Sequence, residues 1–87
     1  MVTESPRATT ASADELLAHA ATLRADADLM DGYARRLLAT AATLSGCLAA
    51  PDWSRPTLKR HAAACTTAAK QLRTAAEALD THARAGH

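Results

Sequence analysis

From Leu16 onward the apolar residues of this chain fall at alternating steps of four and three: Leu16, Ala20, Leu23, Ala27, Met30, Ala34, Leu37, Ala41, Leu44 and Leu48. A strand would need alternation at two, whereas steps of four and three keep one face of a helix continuously apolar. The rhythm is that of a coiled-coil seam, with Leu or Met on one row and Ala on the other. It predicts a first helix over about residues 13–48. Ser12 stands three residues ahead of Glu15 and reads as a capping box at its start.

After Pro56 the same rhythm resumes at Leu58, Ala62, Cys65, Ala69, Leu72, Ala76, Leu79 and Ala83. It predicts a second helix over about residues 56–84, with Pro56 in the first turn, where its missing amide donor costs nothing, and Gly86 as the stop. Val occurs once, Ile and Phe are absent, and Ala dominates. Strand formers are therefore almost missing and the chain reads as all-α.

Two matched stripes joined by a short break predict an antiparallel two-helix hairpin over residues 12–85. Residues 1–11, aperiodic and holding Pro6, read as a disordered arm, and residues 86–87 as a tail. The expected seam is Leu16, Leu23, Met30, Leu37 and Leu44 against Leu58, Cys65, Leu72 and Leu79. Helix 1 is expected to be longer by about two turns, so that Leu16, Leu17 and Ala20 overhang the end of helix 2. Spacing also predicts ion pairs within each helix: Asp31–Arg35, Arg73–Glu77 and Asp80–Arg84.

Pro51 is expected to close helix 1. Trp53, the only Trp of the chain, lies in the break "PDWSRP". There it is expected to plug the end of the core beside Leu44, Leu48 and Leu58; direct contact with a partner is the other reading.

The net charge of +1 gives no basic footprint for nucleic acid. No apolar run reaches the length of a membrane span, and the polar start "MVTESPRATTAS" predicts no secretory signal peptide. No nucleophile, base and orienting group fall into a catalytic pattern, and no cofactor is expected. Asp26, Asp28 and Asp31 read most simply as a solvated face, because they lack the loop spacing of a cation site. Cys47, His61 and Cys65 are the weak candidates for a zinc or copper site. Against that, Cys65 falls on the seam, where a thiol serves as a small hydrophobe. An offset of about six residues along the helices, on the order of 9 Å, also argues against a Cys47–Cys65 disulfide.

The arrangement of long helix, Trp-centred turn and second long helix resembles the small WxG-motif proteins of type VII (ESX) secretion. The likeness covers roughly residues 13–85 and rests on Trp53, Ser54 and Arg55 in the turn and on the two Ala/Leu stripes. Arg55 stands where that family has Gly, and the tail "LDTHARAGH" lacks the family's Tyr-x-x-x-Asp/Glu pattern. The resemblance implies a non-enzymatic protein that pairs with a second helical hairpin, alone or within a larger secreted toxin, and meets the secretion machinery. It implies a cytoplasmic start and export without a cleaved signal peptide.

Independently of the family, Leu17, Leu29, Tyr33 and Leu38 lie off the helix 1 seam and widen the apolar surface beyond what one neighbour covers. They predict a homo- or heterodimer forming a four-helix bundle, with these four side chains in the interface. A small metal-binding helical protein and a homodimeric scaffold without transport role are the alternatives.

Overall fold

The computed structural model describes residues 6–85, with side chains from Ser12 onward. It is all-helical: α1 spans Pro6–Leu44 and α2 spans Ser54–Ala85. The two pack against each other as a hairpin, a rod of 69 × 22 × 14 Å.

The helix bounds differ from the expected ones at three places. α1 begins at Pro6, so residues 6–11 are helical and Ser12 lies inside the helix, where it cannot cap it. Residues 1–5 and 86–87 lie outside the described residues. At its other end α1 stops at Leu44, four residues short of Leu48. There Ser45 turns its hydroxyl onto the Ala42 carbonyl at 2.7 Å, and its amide is shared between the Ala41 and Ala42 carbonyls at 3.1 and 3.2 Å. A serine hydroxyl competing for backbone acceptors, followed by Gly46, ends the helix before Pro51 is reached. α2 begins two residues earlier than expected. The Trp53 carbonyl takes the first helical bond, from the Thr57 amide at 3.1 Å, and the Ser54 amide donates to the Pro51 carbonyl at 3.0 Å. Pro56 still sits in the first turn, where no donor is needed.

The core is made of alanine. Ala20, Ala27, Ala34 and Ala41 of α1 and Ala62, Ala69, Ala76 and Ala83 of α2 are buried, and among the described residues no large side chain is fully buried. A methyl group on each rod at seven-residue intervals lets the backbones approach closely, and dispersion contacts along that line hold them. The larger seam residues, Leu16, Leu23, Met30, Leu37, Leu44, Leu58, Cys65, Leu72 and Leu79, are only half-buried. The seam therefore divides into a closed alanine line and an open leucine row beside it.

Ion pairs across the hairpin accompany the register. Arg24 meets Asp80 at 2.5 Å, and Arg73 reaches Asp28 at 2.7 Å and Asp31 at 2.8 Å. These are not the expected pairs within each helix: Asp31, Arg73 and Asp80 turn to the opposite helix instead. The paired residue numbers add to 104, 101 and 104. A register near that value sets Ala20 level with Ala83, Ala27 with Ala76, Ala34 with Ala69 and Ala41 with Ala62. Ala20 is thus buried under the end of α2 and does not overhang it. The overhang is the stretch of α1 before about residue 18, which includes Leu16 and Leu17.

Candidate functional site

Taking the alanine line as the contact direction, residues three further on point about 60° to one side, and residues four further on about 40° to the other. The first set is the leucine row: Leu23 level with Leu79, Met30 with Leu72, Leu37 with Cys65 and Leu44 with Leu58. Each is half-buried. Together they form a continuous apolar strip along one side of the hairpin. The second set carries Arg24, Asp31, Arg73 and Asp80, and this opposite edge is closed by the ion pairs.

Arg73 sits between two carboxylates. The hydrogen bonds that its guanidinium donates to Asp28 and then to Asp31 raise its pKa above the ordinary value. Arginine is charged at every working pH in any case, so the bracket acts as a fixed positional clamp. Asp28 and Asp31 belong to this clamp; of the acidic trio only Asp26 is left without a role in it.

The four side chains expected in a partner interface do not share one face. Tyr33 (49% exposed) borders the leucine strip. Leu17 and Leu38 lie on the ion-paired edge, and Leu29 (71% exposed) lies on the back of α1. The Arg36 guanidinium stands 5.8 Å from the Tyr33 ring centroid, a cation–π contact that holds the ring on that flank. Spacing alone hides the strip, because each of its residues also fits the hairpin's own seam. Only the alanine partner row could have shown that two such rods close without burying their leucines.

At the turn, Trp53 is 68% exposed and Leu48 fully exposed, so Trp53 is not a plug for the core. Two physical reasons suffice: α1 ends too early to bring Leu48 onto the seam, and an alanine line leaves too narrow a mouth for an indole to fill. Ser54 is buried and Arg55 exposed. A hollow of about 150 Å³ lies beside the turn, lined by residues that include Leu44, Cys47, Leu48 and Arg55. It is well below the size of a small-molecule site.

Cys47 is exposed and Cys65 half-buried in the strip, and both are free thiols. Among the described residues no group of three His, Cys, Asp or Glu side chains comes together to hold a metal, so Cys47, His61 and Cys65 are not assembled into a site. Among the same residues no helix is long and apolar enough to cross a membrane. The chain matches no family model, no curated protein and no solved structure.

Proposed function

We propose that this protein is a non-catalytic pairing module that docks a second helical hairpin onto its leucine strip. The observation that carries this reading is the split seam. Alanine closes the hairpin, and the larger apolar side chains stand half-open in a row from Leu16 to Leu44 and from Leu58 to Leu79. A helical face of this kind is covered by another apolar helical face, as in a four-helix bundle. The accessible surface supports the same reading. It is 6532 Å², against about 4,900 Å² for a compact monomer of 9.1 kDa.

The biological setting we propose is that of the type VII secretion substrates and escorts, whose hairpin layout this chain resembles. Trp53, held out in the turn between two helices, supports this. In this setting the paired hairpins form the unit that the secretion machinery receives. The test is co-expression with the product of an adjacent open reading frame, followed by affinity purification and mass measurement. Recovery of a stoichiometric complex that is lost on Leu37→Asp or Leu72→Asp substitution is the expected result. A complex indifferent to both substitutions would remove the strip from the reading.

A further inference from the structure

The net charge of +1 conceals a division along the rod. In the half that holds the turn, residues 34–70, Arg35, Arg36, Arg55, Lys59, Arg60 and Lys70 stand against Asp52 alone. The other half, residues 12–33 and 71–85, carries seven acidic residues against three arginines. The ion pairs among the described residues all lie in that acidic half. None of the six cations of the turn half has a carboxylate partner among the same residues. Asp31 turns to Arg73, which leaves Arg35, four residues on, without one. Three of these cations gather on the edge opposite the leucine strip. Lys59, two seven-residue repeats before Arg73, shares its row, and Leu38 lies on the matching row of α1. Arg35 and Lys70 follow Ala34 and Ala69 by one residue and flank the same edge, about 100° round from the contact line. In the register of the hairpin they stand nearly level, with Lys59 about 15 Å nearer the turn. All three are exposed, and Leu38, 47% exposed, lies within the frame they make.

We propose that this frame is a second docking site, separate from the strip, and that its occupant is a short acidic segment of another protein with an apolar side chain set among its carboxylates. Arg35, Lys59 and Lys70 take the carboxylates through charge-assisted hydrogen bonds, and Leu38 takes the apolar side chain. The neighbouring residues fix the length of the occupant. Just past Arg35 and Lys70 the same edge carries Asp28, Asp31, Glu77 and Asp80, which outnumber Arg24 and Arg73. A bilayer or a nucleic-acid duplex laid along the rod would press its charges onto these carboxylates, within a Debye length of about 8 Å. A helical segment of about ten residues covers the frame and stops short of them. The acidic half also turns an approaching anionic segment toward the turn half, so the division of charge sets where it lands.

The probe is an N-acetylated, fluorescently labelled peptide of about ten residues, Glu and Ala around one central Leu, titrated with the full chain and followed by anisotropy. Binding at low salt that disappears in 1 M NaCl is the expected result. Lys59 and Lys70 are the only lysines of the chain, so a zero-length carbodiimide cross-linker reads the contact directly, and peptide glutamates should map to both. Arg35→Glu with Lys70→Glu, and separately Leu38→Asp, should each weaken binding about tenfold or more. The charge-matched Arg36→Glu with Arg60→Glu, on the backs of the two helices, should change it less than about threefold. Binding should persist in a Leu37→Asp chain, whose strip is blocked, which distinguishes this site from the pairing reading. Loss of binding in that chain, with helicity retained by circular dichroism, would place the peptide on the strip and overturn the second site. No binding at low salt, equal losses from the two double substitutions, or tighter binding of duplex DNA or of phosphatidylglycerol vesicles would each overturn it as well.

Discussion

Ala27, Ala69 and Ala76 have no exposed surface, and each faces a backbone where a larger side chain has no room. Ala69→Leu should therefore destabilise the hairpin by about 1–3 kcal/mol through overpacking. Thermal unfolding followed by circular dichroism would show it as a fall in Tm of about 4–8 °C per kcal/mol. The opposite sign is expected at Gly32. A methyl group there would meet only the Arg35 side chain, at an ordinary 3.7 Å, so Gly32→Ala should raise stability by about 0.5–1 kcal/mol. The alanine row was visible in the sequence as spacing. Its consequence was not, because spacing gives direction around a helix and says nothing about how deep a methyl or an isobutyl group will sit. Trp53 shows the same gap: its position in the turn was legible, its exposure was set by how narrow the mouth of an alanine seam is.

Between the two helices, the Arg24–Asp80 pair joins side chains of which Asp80 is largely covered. Asp80→Asn should lower stability by about 0.2–1 kcal/mol. Denaturant titrations at low salt and in 1 M NaCl should differ in that cost, because a partly exposed pair is screened. The existence and type of both helices were legible from periodicity. Their ends were not: Ser45 and Gly46 stop α1 through backbone competition, which the apolar pattern running on to Leu48 conceals. The cross-helix ion pairs were equally hidden. Asp31 and Asp80 each have an arginine four residues on, and only the register of the hairpin shows that the opposite helix offers a better-placed one.

The whole molecule is a thin rod with little interior, so under the pairing proposed above its stability is shared with its partner. Its Tm should then rise with the concentration of that partner, since association stabilises by mass action. A Tm indifferent to the co-purified partner would contradict the pairing. A metal titration should leave the Tm unmoved, because the Cys47, His61 and Cys65 side chains are not gathered in the fold.

The alanines recur at the same interval on both rods, which gives the closed line translational symmetry: one seven-residue unit looks like the next. Insertion of a whole unit into each helix at matching levels would lengthen the rod by about 10 Å and leave its cross-section unchanged. Insertion of three residues would swing the charged edge round toward the leucine row. The chain's length is thus free to drift in steps of seven, while anything shorter rewrites its outer surface.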